Sequence, residues 1–204
     1  MSDFKDILFK VSDDGLIATI SINRPKKFNA VSFELLAEIE KCILEKINVF
    51  TSRVRVVILT AEGKHFTSGI DINSAASIGT ISDDINSDDQ GAQSDSSPDD
   101  IARKAIQIND LVLRLQRWTS SLEICRVPVI CAISGYCIGA GIDLSSACDI
   151  RICSQDTKFT IKEVDIGICA DLGTIQRFQK VVGNDSWTRE LAYTGRFFDA
   201  NEAF

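Results

Sequence analysis

Seven uncharged residues, Pro128–Ser134, run straight into a turn with glycine at 135, 139 and 141. A near-continuous apolar run of this kind is the pattern of a strand buried on both faces, which calls for a parallel sheet with helices packed on each side. A short helix of small residues, roughly 140–148, follows the turn. A turn that ends a strand and opens a helix aims unpaired backbone N–H groups at one point, a ready anion or oxyanion site. Asp143 lies in the first turns of that helix, flanked by Ile142 and Leu144. Glu163 and Asp171 come later, each among apolar or small residues. Carboxylates converging on such a point can move protons.

The remaining chain supplies the other parts of an α/β protein. Residues 7–11 and 16–22 flank Asp13-Asp14-Gly15, a hairpin signal. After the polar segment Asn23-Arg24-Pro25-Lys26-Lys27-Phe28-Asn29, Ser32 is set to cap a helix over roughly 33–48. Its Phe33, Leu36, Ile39, Ile43 and Ile47 form one apolar stripe. Residues 54–59 (VRVVIL) read as another buried strand, ending in the small and polar loop 61–71. A long helix is expected from Asp99-Asp100 to about Ile124, with Ile101, Ala105, Ile108, Leu111, Val112, Leu115, Trp118 and Leu122 at helical spacing. Strands at 150–153 and 159–161 and helices at 172–182 and 184–193 complete the alternation, which predicts mostly parallel pairing.

Several chemistries are excluded by what the chain lacks. His65 is the only histidine and has no Cys or His at metal-ligand spacing, which argues against a zinc site. A Ser-His-Asp triad has no G-x-S-x-G elbow, there is no P-loop, and G-x-x-x-G-x-G at 135–141 is not the dinucleotide fingerprint. Net charge −7 is local in origin: residues 79–100 hold seven aspartates and no other charge, leaving 22 acidic against 22 basic residues elsewhere. That stretch reads as a mobile acidic loop, and the neutral remainder lacks the basic surface that nucleic acid requires. No apolar run is long enough for a membrane span, and MSDFKDILFK shows no targeting signal. The seven cysteines, none in a C-x-x-C pair, read as reduced core residues of an intracellular protein. What remains is N–H donors plus carboxylates, equipment suited to enolate-forming chemistry. Each part also has a plain structural use. The glycines could serve strand–helix packing, and Asp143 could pair with Arg177. Glu163 could face water at a strand end, Asp171 could cap a helix starting at Leu172, and His65 could be a loop residue.

The stretches FTSGID (66–71), SGYCIGAGIDLSSACDIR (134–151) and FTIKEVDIGICADLGTIQR (159–177) resemble the crotonase superfamily of enoyl-CoA hydratases and isomerases. The opening strands and NRPKKFNA match as well, so the resemblance covers nearly the whole chain, as a single crotonase-like domain over 1–204. It implies a spiral of ββα turns assembled as a homotrimer or hexamer, with the C-terminal trimerisation helices missing after Phe204. Carboxylates at 143, 163 and 171 together resemble the dienoyl-CoA isomerase branch, because hydratases place a glycine-rich turn where this chain has Asp171. The implied reaction moves the double bonds of a 3,5-dienoyl-CoA into 2,4 conjugation. Glu163 would serve C2, Asp171 would serve C6, and Asp143 would be the supporting third carboxylate. The thioester oxygen would lie between the N–H groups of Ile70 and Ala140, and Ser68, Gly69, Ile70, Asp71 and Ile72 would line the CoA path. The family usually has glycine at the position of Ala140. No cofactor or metal is implied, CoA being part of the substrate, and a peroxisomal or mitochondrial location is expected. The rival activities are hydration or Δ3,Δ2-enoyl-CoA isomerisation, and acyl-CoA binding without catalysis.

Overall fold

The computed structural model describes residues 4–74 and 101–203. The acidic segment 79–100, expected as a mobile loop, and the Asp99-Asp100 helix start lie outside these residues. Strands β1 (Ile7–Val11) and β2 (Ile17–Ile22) form the expected antiparallel hairpin. β2 pairs in parallel with β3 (Val56–Ala61), β3 with β4 (Val129–Ile133), and β4 with β6 (Ile150–Cys153). The resulting five-stranded sheet has the order β1-β2-β3-β4-β6. A second sheet of three strands holds β5 (Tyr136–Ile138), β7 (Lys158–Thr160) and β8 (Phe198–Asp199). The expectation of mostly parallel pairing holds, and the two antiparallel pairs are β1–β2 and β7–β8.

Several elements depart from the sequence reading, among them the helix expected at 172–182, which begins at Thr174. The strand expected at 54–59 begins two residues later, because its ladder with β2 starts at the pair Ile17–Val56. The helix expected at 33–48 is α1 (Phe33–Cys42) followed by a π-helical turn, Ile43–Ile47. Ser32 caps α1 as expected, its Oγ accepting the Leu35 N–H. The π turn keeps both Ile43 and Ile47 fully buried, and the Asn48 N–H reaches back to the Ile43 carbonyl. Helix α2 (Ile101–Ser120) ends before Ile124 and buries only its second half. Leu111, Leu115 and, beyond the helix, Leu122 are in the core, whereas Ala105, Ile106 and Ile108 are exposed. Helix α2 packs on α1.

The glycine-rich stretch is more than a turn. Tyr136–Ile138 inside it form β5, parallel to β7, so the chain switches sheets between β4 and the next helix, α3 (Ala140–Ser146). Every residue of α3 is buried, which its small side chains allow. α3 packs against α4 (Thr174–Val182), and α4 against α5 (Asp185–Thr194). The described chain closes with the short helix α6 (Ala200–Ala203). All seven cysteines are free thiols; Cys42, Cys131, Cys137 and Cys148 are buried, Cys125 and Cys153 half-buried. Cys169 departs from the expected core position and is exposed in the loop before α4.

Candidate active site

Two stretches of backbone run side by side to make the first half of the site. Thr67 bridges Cys137 in parallel, with the Thr67 N–H donating to the Tyr136 carbonyl and the Ile138 N–H to the Thr67 carbonyl. Two residues on, Gly69 lies against the same strand: a Cβ there would stand 3.2 Å from the Ile138 carbonyl oxygen. On its other side the segment bridges Val31: the Val31 N–H donates to the Gly69 carbonyl and the Asp71 N–H to the Val31 carbonyl, each at 2.8 Å. In a parallel bridge of this kind the N–H of the central residue, Ile70, points away from Val31. Ala140 is the first residue of α3, and its N–H is one of those a helix cannot satisfy internally. Neither N–H has a hydrogen-bond partner among the described residues.

Glycine is required at two points here. Gly139 sits at φ 50° and ψ −112°, and a Cβ there would stand 3.0 Å from Glu163 Oε1. At Gly141 a Cβ would come within 2.5 Å of Thr67 Cγ2, so helix and loop could not approach so closely. The strand–helix packing use of the glycines is therefore real, and the same closeness brings the Glu163 carboxylate against the start of α3.

The second half is carboxylate. Asp143 is 2% exposed, and its Oδ1 accepts from the Thr174 N–H at 2.6 Å and the Thr174 hydroxyl at 2.8 Å. It thus caps α4, whose N-cap, Gly173, has no side chain to do so. Burial, and then the negative charge of Glu163, push the Asp143 carboxyl up from 3.8 to about 7. Glu163 is 9% exposed, not turned to water, and opens the 3-10 turn Glu163–Ile166 that follows β7. Burial raises its carboxyl too, with Asp171 adding repulsion. Its Oε2 is the one buried side-chain N or O atom among the described residues that has no partner. Asp171 is half-buried, and burial raises it as well. It does not cap α4. Its backbone carbonyl is held by Gln116 Nε2 from α2, at 2.8 Å, and by Gln176 Nε2, at 3.2 Å. Glu163 and Asp171 both help to raise Asp143, and Asp171 helps to raise Glu163, so the three acids lie within electrostatic reach of one another.

The other expected residues divide. Ser68 and Ile72 are exposed and Ile70 is half-buried, but Asp71 is 8% exposed, with its carboxylate on Arg24 Nη2 at 2.8 Å. Arg177 does not pair with Asp143. It binds Glu123 Oε2 at 2.7 Å and the Ser120 hydroxyl at 2.8 Å. His65 is a loop residue, accepting the Tyr136 N–H on Nδ1 and stacking on the Tyr136 ring at 4.6 Å. Thr174, Gln116 and Arg24 are site residues that the sequence did not announce. The one usable signal was Gly173 immediately before a helix, a cap position that needs an acceptor from elsewhere. A cleft of about 730 Å³, lined by Ile142, Phe178, Trp187 and Phe198 among others, includes none of the three acids in its lining.

Two sheets wrapped by helices, with the buried Glu163 carboxylate set against the start of α3, define the crotonase-like class of α/β folds. The sequence model described as Enoyl-CoA hydratase/isomerase matches residues 13–95 and 99–204, and the chain belongs to that family. It is 41% identical over 204 residues to a peroxisomal Delta(3,5)-Delta(2,4)-dienoyl-CoA isomerase of Arabidopsis thaliana, covering all of this chain and 68% of that protein. It is 44% identical over 184 residues to the mitochondrial enzyme of that name from Rattus norvegicus, covering 90% of this chain and 51% of the rat protein. The chain therefore spans about half the length of the rat relative. A Thermobifida fusca protein described as an enoyl-CoA hydratase, crystallised with acetoacetyl-CoA, superposes with a TM-score of 0.75 at 28% identity, covering 97% of this chain and 69% of that one. Among the described residues no helix is long and apolar enough to cross a membrane.

Proposed function

We propose that this protein isomerises 3,5-dienoyl-CoA to 2,4-dienoyl-CoA in the oxidation of unsaturated fatty acids, with acyl-CoA thioesters as its substrates. The observation that carries the proposal is the orphaned Glu163 Oε2, a buried carboxylate oxygen with no partner among the described residues, within electrostatic reach of two further acids. The N–H groups of Ile70 and Ala140 hold the thioester oxygen, which lowers the cost of forming a dienolate. Glu163 takes the C2 proton with its free oxygen, and Asp171 delivers one at C6. The thioester is conjugated with both double bonds in the product. Raised carboxyls matter here because one acid must begin protonated while another begins ionised, and like charges in an apolar pocket enforce that division. Asp143, bound to Thr174, supports both. Net proton transfer within one substrate draws on no metal and no redox group.

The relatives named for this reaction support the reading, and a peroxisomal or mitochondrial location, the two that their names carry, belongs to the same proposal. Homotrimeric or hexameric assembly belongs to the same proposal and is read by light scattering. The test is the ultraviolet absorbance rise on conjugation of a 3,5-dienoyl-CoA. Wild-type protein should show it, and Asp171→Asn should lose about 10²- to 10⁴-fold in kcat. Faster hydration of a 2-enoyl-CoA than dienoyl isomerisation would instead assign the site to a hydratase. Thioester binding without turnover, unaffected by Asp171→Asn, would make it a binding protein.

A further inference from the structure

The segment Asn23–Asn29 has a purpose that a polar loop does not require. Arg24 keeps only 10% of its side chain exposed and spends all three guanidinium nitrogens on separate acceptors. Nε lies 3.4 Å from Asp6 Oδ2, Nη2 donates to Asp71 Oδ2 at 2.8 Å, and Nη1 donates to the Ala30 carbonyl. Ala30 and Asp71 are neighbours of Val31 and Ile70, the two residues of an isolated bridge that belongs to neither sheet. One guanidinium therefore grips both strands of the bridge that decides where the Ile70 N–H points. No longer ladder supports it: Ile72, two residues on, is 72% exposed.

Asn29 reinforces the same loop. Its Oδ1 accepts the Arg24 N–H, and its Nδ2 donates to the carbonyls of Glu62 and His65 at 2.8 and 2.7 Å. Its own carbonyl accepts the Thr67 hydroxyl at 2.7 Å. The guanidinium in turn holds the Asp71 carboxyl below the usual carboxylate range, so the pair stays charged. A fork with fixed N–H directions can serve three acceptors at once, which a lysine ammonium on a flexible stem cannot do in the same geometry.

We propose that Arg24, acting through Asp71 and the Val31–Ile70 bridge, is a positioning residue for the Ile70 N–H that binds the thioester oxygen. This inference rests on the isomerase reading of the site. It also gives Asp71 a role different from lining the CoA path: its side chain faces Arg24 and steers the backbone next to it.

The experiment compares Arg24→Lys and Asp71→Asn with wild type and with Glu163→Gln. Four quantities are measured: kcat and KM for 3,5-dienoyl-CoA, the absorbance band of bound 2,4-dienoyl-CoA, and the thermal midpoint. A conjugated thioester moves to longer wavelength when donors polarise its oxygen, so the band reports on the N–H pair directly. Arg24→Lys and Asp71→Asn should lose about 100-fold in kcat, the scale of a small misplacement of a reacting group. KM should change little and the red shift should shrink, with the protein still folded at the assay temperature. Glu163→Gln should lose kcat and keep the red shift. Wild-type kcat and red shift in both variants would overturn the inference, as would a loss that simply tracks the unfolded fraction. If wild type binds the 2,4-dienoyl thioester with a red shift but has no isomerase turnover, the isomerase reading fails, and the red shift in Arg24→Lys still decides the positioning role. No binding, or binding without a shift, in wild type overturns both.

Discussion

Replacing Asp143 by Asn should stabilise this protein, and by an amount that grows with pH. The carboxyl is 2% exposed and raised from 3.8 to about 7 by burial and by Glu163. In the unfolded chain it titrates near the ordinary aspartate value of about 3.9. Between those two values the folded protein holds a proton that the unfolded chain has released. The unfolded state then binds fewer protons, so stability falls as pH rises, by up to about 1.4 kcal/mol per pH unit, and levels off above the folded value. Across a window of about three units the accumulated cost is about 4 kcal/mol. Asparagine keeps the shape and an oxygen for the Thr174 N–H and hydroxyl, but it never ionises. The variant should match wild type below about pH 3, where Asp143 is neutral in both states, and exceed it by about 4 kcal/mol above neutral pH. In a chain of this size that corresponds to a midpoint roughly 8–16 °C higher. Urea unfolding at intervals from about pH 5 to about pH 8 measures the difference directly. A difference that does not change with pH would refute the reasoning, because Asp143 would then ionise as it does in water. The same variant should be the slower enzyme, since a charge set beside Glu163 at the expense of stability is the mark of a site kept for function.

Two further substitutions probe the same cluster from its edges. Thr174→Val removes the hydroxyl donor from Asp143 but leaves the backbone N–H; the ionised carboxylate loses support, so the Asp143 carboxyl should rise above about 7. The cost, about 1–2 kcal/mol, should appear above neutral pH and fade near pH ~5, and pH-resolved urea melts showing equal losses at both ends would contradict it. Gly139→Ala places a methyl at φ 50° and 3.0 Å from Glu163 Oε1. It should cost about 1–2 kcal/mol in left-handed strain and reduce kcat by displacing the carboxylate, and an unchanged kcat would mean that Glu163 does not act from this position.

What the sequence disclosed, and what it withheld, follows from the range of the interactions involved. Ser32 could be read as a cap because its partner, Leu35, is three residues away, and β4 because its apolar run is continuous. β5 could not, since three residues inside a glycine-rich stretch become a strand only by pairing with β7, some twenty positions on. The exposed first half of α2 has the periodicity of a buried helix, and periodicity says nothing of whether a partner lies opposite. The three acids stood out by family resemblance, yet their physical relation did not. Asp143 reaches Thr174 across 31 positions and caps a helix whose own N-cap is a glycine. Arg24 reaches Asp71 across 47. Both contacts join segments that sequence analysis treated as separate: a polar loop, a glycine turn and a helix start. Pairings of this kind place charge and donors at one point, and they appear only when the fold closes. The residues most informative about chemistry here are therefore those whose local pattern seemed incomplete, such as a helix without a capping side chain or a bridge outside either sheet. Asp143 fills the gap at the start of α4 and Arg24 the gap at the Val31–Ile70 bridge, each from far along the chain.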